Sequence, residues 1–158
     1  MEIPSSVNVG RALSYALLTV LLGACAAHVR GLVEPAGAGA RLTTVDGRVY
    51  KLILTGGAVP IRALGGHLID VRGPRLANAI RVGTWSVGDG LHGMPTWVGK
   101  LVVMGDRVGI QDINSGALYF VDEKAGDLLR ASDDQVVLLE GYVDGPHTVK
   151  VLYYRVLD

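Results

Sequence analysis

The sequence predicts an all-β protein that contains two small five-stranded barrels in tandem. Glycine is abundant, with 22 in 158 residues, and long amphipathic helical patterns are missing. Short runs rich in Val, Leu and Ile are separated by turn-forming pairs such as Asp46-Gly47 and Gly105-Asp106. The second half of the chain repeats the order of segments found in the first half, and this repeat sets the expected number of barrels.

The repeat becomes visible when the chain is laid on itself with a shift of 69 residues, which narrows to 68 in the middle of each unit. At the wider shift Leu32 falls on Leu101, and at the narrower shift Gly73 falls on Gly141. The apolar pattern agrees more widely than these identities do. We therefore interpret the chain as an internal duplication.

The duplicated units are expected at 25–88 and 97–158, and a linker rich in glycine joins them at 89–96. A short apolar piece at 127–131 could be a turn of helix or an edge strand. The expected strands occupy 28–35, 41–44, 48–54, 67–73 and 79–87 in the first unit, and 98–104, 107–112, 117–122, 135–143 and 148–157 in the second.

Five short strands joined by hairpins suit a small closed barrel, because closure removes sheet edges that would otherwise pair with neighbouring chains. The element order, with a short segment before the fourth strand, resembles OB-fold domains, including the small OB-like envelope domains of bacteria. An SH3-like barrel fits the same pattern nearly as well. Each unit is small for independent stability, so we expect the two to pack on each other or on a second copy of the chain.

Residues 12–24 form an uncharged apolar run of 13 residues. A helix needs about 20 residues to span a bilayer, so this run is too short, but it suits the apolar region of a secretory signal peptide. The run ends in Leu22-Gly23-Ala24-Cys25, which resembles the lipobox of bacterial lipoproteins. The residues also allow an ordinary signal peptide, or a buried helix with a chance cysteine.

The lipoprotein resemblance implies that residues 1–24 are removed as a signal peptide and that the Cys25 sulfur carries a lipid. A further acyl chain would occupy the new amino group. Anchoring by two or more chains is stable, because each buried methylene contributes about 0.8 kcal/mol. The resemblance also implies a cell-envelope location, and Ala26, in place of Asp after the cysteine, favours the outer membrane, facing the periplasm.

The two units differ in charge although the whole chain is neutral, with 15 cationic and 15 acidic side chains. The first unit has a net charge of +5 and the second a net charge of −4. Neutrality argues against a general nucleic-acid binder. The basic unit is expected to face an anionic partner, or the two units pair with each other within or between chains. Arg72, Arg75 and Trp97 are the candidate ligand-binding residues.

The sequence contains no recognisable catalytic or metal-binding pattern. The four histidines are far apart, the acidic cluster of the second unit does not match a calcium loop, and no serine has a nucleophile-elbow context. We therefore expect neither an enzyme nor a cofactor or metal site. The leading hypothesis is a lipid-anchored binding or assembly module for an envelope protein or glycan. One alternative is a self-associating structural subunit. Another is a small hydrolase that uses carboxylates, for which the candidates are Asp122, Asp127, Asp133 and Asp134.

Overall fold

The structure, a computed structural model, describes residues 26–157 of the 158-residue chain, so the expected signal peptide and Cys25 lie outside the described residues. The first unit contains β1 (Ala26–Ala36), β2 (Gly39–Thr44), β3 (Val49–Ile53), a 3-10 helix (Gly56–Ala63), β4 (Leu68–Leu76), β5 (Ala79–Arg81) and β6 (Thr84–Val87). The second contains β7 (Thr96–Met104), β8 (Arg107–Asp112), β9 (Leu118–Val121), α1 (Glu123–Leu129), a 3-10 turn (Arg130–Ser132), β10 (Val136–Val143) and β11 (Thr148–Val156).

Both units close into five-stranded barrels, which confirms the predicted fold class. The first barrel has the strand order β1-β2-β3-β5-β4 and closes through the pairing of β1 with β4. β5 pairs with the end of β4, and β6 pairs with the start of β4, so that β5 and β6 lie end to end beside it. The second barrel has the equivalent order β7-β8-β9-β11-β10. In both barrels the third and fifth strands run parallel, and a helical segment precedes the fourth strand. The piece at 127–131 is therefore helical.

The duplication is visible in the strand registers. Lys51 pairs with Ala79 in the first barrel, and Phe120 pairs with Thr148 in the second. Each residue of the second pair lies 69 positions after its counterpart in the first pair, which is the shift found in the sequence. The first strands match at 68 instead, because Gly31 and Gly99 occupy equivalent register positions opposite Thr44 and Asp112.

The predicted match of Leu32 with Leu101 is therefore wrong by one residue. Leu32 is 49% exposed on the outside of its barrel, whereas Leu101 is fully buried. Side chains alternate between the faces of a strand, so a slip of one residue exchanges inside for outside. Val33 is the buried residue that corresponds to Leu101.

The two barrels share one packed interface. Val98, Leu138 and Leu157 of the second barrel belong to the same buried cluster as the core of the first barrel. The guanidinium of Arg155 in β11 donates a hydrogen bond to the carbonyl of Ala63 at the end of the first 3-10 helix. The expectation that the units pack on each other is met within a single chain.

Three chain segments meet at one end of the first barrel, which we call the N-terminal end. They are the start of β1 at Ala26, the β2–β3 turn at 45–48 and the β4–β5 turn at 77–78. Ala26 is already paired with β4, and the Lys51 N–H donates to the Asn78 carbonyl at 2.9 Å, which joins the two turns. The 3-10 helix and the linker lie at the opposite end, so the second barrel is held away from the N-terminal end.

Candidate functional site

The two arginines singled out from the sequence lie on the outside of the first barrel. Arg72 is exposed in the middle of β4 and lines a shallow depression with Asp70 and Ser86. Arg75 lies nearer the N-terminal end, where its Nε donates to the Ala77 carbonyl at 3.0 Å. Its guanidinium stands 5.2 Å from the centre of the Tyr50 ring, which fixes its position by a cation–π contact.

Trp97 lies in the second barrel and packs mainly against its neighbours there. Its ring centre is 6.1 Å from that of Tyr119, and the side chain is half-buried against the second core. Arg72 and Arg75 belong to the other barrel. Trp97 is half-buried in the second barrel, and the structure does not bring it together with Arg72 and Arg75.

A polar depression of about 650 Å³ lies on the second barrel, and we call it the polar groove. β8, α1 and the start of β11 form it, while β7 and β10 face the first barrel. Both signs of charge line it. Its polar side chains include Asp106, Arg107, Glu123, Asp127, Arg130 and Thr148.

Both arginines of the polar groove are held in place before any partner arrives. The Arg107 guanidinium lies 3.5 Å from the centre of the Phe120 ring, in face contact. Arg130 donates to the carbonyls of Gly105 and Asp106 at 2.9 and 2.7 Å. A site whose charged groups are already oriented loses less conformational entropy on binding. Arg107 and Phe120 were not singled out from the sequence, although their diagonal position across the β8–β9 hairpin follows from its register.

Three of the four aspartates on which the hydrolase hypothesis rests have structural partners. Asp122 caps α1 through the Ala125 N–H and also accepts a hydrogen bond from the Val151 N–H at 2.9 Å. Asp133 accepts from the Val103 N–H at 3.0 Å, and Asp134 pairs with Lys100. These carboxylates are used in holding helix, turn and strand together.

The linker is fixed to the second barrel by a fully buried carboxylate. The side chain of Glu140 in β10 accepts hydrogen bonds from the N–H groups of Leu91 and His92, at 3.1 and 3.2 Å. His92 Nδ1 lies 2.9 Å from the same carboxylate. Gly90 passes so close that a Cβ there would stand 2.3 Å from Glu140 Cδ. The linker is therefore a packed part of the fold.

The hydrogen bonds to Glu140 also set its ionisation. Burial alone raises the pKa of this carboxyl, but the hydrogen bonds from His92 and from the linker N–H groups outweigh burial and lower the pKa below the ordinary 4.5. Glu140 is consequently charged at neutral pH, and its charge is directed at the linker. The ring of His92 lies 5.0 Å from that of Tyr153, which completes the contact.

His67 is the second buried polar side chain of the described residues, at 1% exposure, and it directly precedes β4. Its Nδ1 is 3.2 Å from the Leu64 carbonyl, while its Nε2 has no hydrogen-bond partner among residues 26–157. Burial lowers the pKa of the imidazole, and the positive charge of Arg155 lowers it further. His67 is therefore neutral at pH 7 in the folded protein.

Two absences apply to the part of the chain that the structure describes. Residues 26–157 contain no group of three or more His, Cys, Asp or Glu side chains placed to hold a metal ion. No helix among them is long and apolar enough to cross a membrane.

Comparison with protein-family models, with curated proteins and with solved structures found no match to this chain.

Proposed function

We propose that the protein is a lipid-anchored, non-enzymatic component of a bacterial cell envelope, and that its second barrel binds a protein or glycan partner. The observation that carries the proposal is the stretch Leu22-Gly23-Ala24-Cys25, followed at once by β1. This stretch resembles a lipobox, and Ala26 is already part of the barrel. A lipid on Cys25 would thus be attached directly to a folded domain.

The arrangement of the barrels supports a partner site on the second one. The chain leaves towards Cys25 from the N-terminal end of the first barrel, and the second barrel packs at the opposite end. The polar groove lies on β8, α1 and the start of β11, whereas β7, β10 and the end of β11 contact the first barrel. A lipid-anchored molecule would therefore present the polar groove away from its anchor.

The chemistry of the polar groove suits a partner that forms hydrogen bonds. Arg107 and Arg130 are fixed donors, Glu123 and Asp127 are acceptors, and Thr148 supplies a hydroxyl. The two signs of charge lie close together, which favours a polar partner over a purely anionic one. A glycan or a polar peptide segment meets this description.

Binding of a partner from solubilised envelope membranes, together with binding to a panel of envelope glycans, tests the proposal. Asp127→Asn and Arg107→Ala should each weaken binding by about tenfold. Removal of one charged group at a binding site leaves its partner group without a counterpart, and this commonly weakens binding by that factor or more. Lys124→Ala on the same helix is the matched control, because Lys124 does not line the polar groove. Thermal melting separates lost binding from lost folding, and the absence of both a protein and a glycan partner would refute the proposal.

Self-association is a second candidate, favoured by the charge difference between the units. The first carries a net charge of +5 and the second −4, so the basic barrel of one copy could meet the acidic barrel of the next. Such association weakens with salt. Sedimentation at low and high salt tests it, and a monomer under both conditions would exclude it.

A further inference from the structure

The N-terminal end of the first barrel exposes apolar side chains on the turns that surround the start of β1. Val45 in the β2–β3 turn is 99% exposed, and Val49, which follows that turn, is 48% exposed. Leu76 at the end of β4 is 45% exposed. Apolar side chains grouped on one end, with polar residues around them, are typical of a surface that contacts a membrane or another protein.

Cations surround these apolar side chains. Arg48 and Lys51 flank the β2–β3 turn, and Arg75 stands beside Leu76, with its guanidinium against Tyr50. The carboxylate of this turn, Asp46, lies 3.0 Å from the Arg48 guanidinium and offsets part of its charge. Apolar side chains at turn tips together with flanking cations match the chemistry of an anionic bilayer surface.

The position of Cys25 gives this end an orientation. Cys25 directly precedes Ala26 in the sequence, and Ala26 is the first residue of β1. Ala26 is paired with Pro74 of β4. The next two residues of β4 are Arg75 and Leu76. A lipid attached at Cys25 would enter the bilayer beside the exposed apolar and cationic side chains, with almost no tether between them.

We infer that the N-terminal end of the first barrel is a membrane-contact face that rests on anionic lipid head groups. Val45 and Leu76 enter the head-group region, and Arg48, Lys51 and Arg75 contact lipid phosphates. The inference rests on the proposed lipid anchor and adds to it a fixed orientation of the molecule. The net positive charge of the first barrel agrees with this placement, since the acidic barrel is then held away from the like-charged surface.

Site-specific labelling of the full-length lipidated chain in vesicles tests the inference. Cys25 is the one cysteine of the sequence, and in the proposed mature form its sulfur is blocked by lipid. An introduced cysteine is then the only free thiol. An environment-sensitive fluorophore is placed by Val45→Cys, by Leu76→Cys and, as the control in an exposed turn of the second barrel, by Asp144→Cys, in vesicles that contain phosphatidylglycerol.

We expect bilayer-located nitroxide lipids to quench the labels at positions 45 and 76 severalfold more than the label at 144, and aqueous iodide to show the reverse order. Labels at 45 and 76 that are as accessible to iodide as the label at 144 would overturn the inference, including the case in which this face binds an acidic protein instead. Reaction of a maleimide with wild-type protein would show a free Cys25 thiol. That outcome refutes the proposed anchor itself, and the contact face with it.

The contribution of the cations is tested in the same vesicles. Each cation near an anionic surface should raise the ratio of labelled molecules whose face contacts the bilayer to those whose face is in water by about fivefold. Arg48→Gln combined with Arg75→Gln should lower that ratio for the label at 76, whereas Arg62→Gln combined with Lys124→Gln, which removes equal charge elsewhere, should leave it unchanged. Equal effects of the two double variants would overturn the role assigned to this face.

Discussion

The carbonyl oxygen of Lys150 in β11 lies so close to Gly141 in β10 that a Cβ on Gly141 would stand 2.0 Å from it. The same relationship holds in the first barrel, where a Cβ on Gly73 would stand 1.9 Å from the Arg81 carbonyl oxygen. At both places the fourth and fifth strands cross at a distance that only glycine permits. The two halves of the chain thus share a steric requirement at equivalent positions, as well as a strand order.

Gly141→Ala should lower the free energy of unfolding by about 3 kcal/mol, since a methyl group forced against backbone cannot be accommodated by a rotamer change. Gly73→Ala should have a similar effect in the first barrel. Urea unfolding followed by circular dichroism measures both. Gly39→Ala is the control, because the nearest atom to a Cβ there is 3.8 Å away. Equal stabilities of the Gly39 and Gly141 variants would contradict the crossing geometry.

Glu140→Gln should release the linker and lower the free energy of unfolding by about 2 kcal/mol at neutral pH, because a neutral amide then replaces the charged acceptor of several buried hydrogen bonds. The folded-state pKa of Glu140 is lowered below 4.5, so its contribution is present above pH 4.5 and is lost as the pH falls through the folded-state value. The difference in unfolding free energy between wild type and variant should therefore shrink below pH 4.5. A difference that stays constant with pH would show that Glu140 is not charged in the fold.

Wild-type protein should lose stability on mild acidification because of His67, and the variant His67→Leu should not show this loss. The folded state keeps His67 neutral, whereas the unfolded chain binds a proton at the ordinary pKa of 6.5, so wild-type stability falls as the pH drops below that value. The Leu64 carbonyl still accepts from the residue 67 backbone N–H in the variant. Unfolding free energies measured between pH 7.5 and 5 should decline more steeply for wild type, and parallel declines would exclude the assignment.

Arg155→Met should reduce this acid sensitivity without abolishing it. Burial is the larger cause of the lowered pKa of His67, and the Arg155 charge is the second. The variant also loses the hydrogen bond to the Ala63 carbonyl, so its stability should be lower at every pH. Histidine titration by NMR measures the change directly. The pKa of His67 should rise towards 6.5 yet stay below it, and a fall would contradict the proximity of the two residues.

The barrel class could be predicted from the sequence because turn-forming pairs such as Gly105-Asp106 mark the strand ends and the duplication doubles the evidence. The strand count could not, since the single strand expected at 79–87 is divided into β5 and β6. The register of the first strand could not. Leu32 and Val33 are both apolar, so composition does not say which of them faces the core. Only the pairing of Gly31 opposite Thr44 places Val33 inside.

The buried polar side chains were beyond sequence reasoning for a different reason. Glu140 and His92 are 48 residues apart, and nothing local indicates that a linker folds back over β10. Trp97 likewise lies half-buried against Tyr119 and the second core, a contact that its sequence neighbours do not indicate. Contacts between distant segments decide such roles, and a single sequence contains no record of them.

The most direct test of the account is the intact mass of the protein purified from the membranes of a bacterial host. We predict a chain that begins at Cys25 and carries a diacylglyceryl group and a further acyl chain, and a Cys25→Ser chain that carries neither. A wild-type chain that keeps residues 1–24, or that begins at Cys25 with a free thiol, would contradict the lipid anchor and the orientation derived from it.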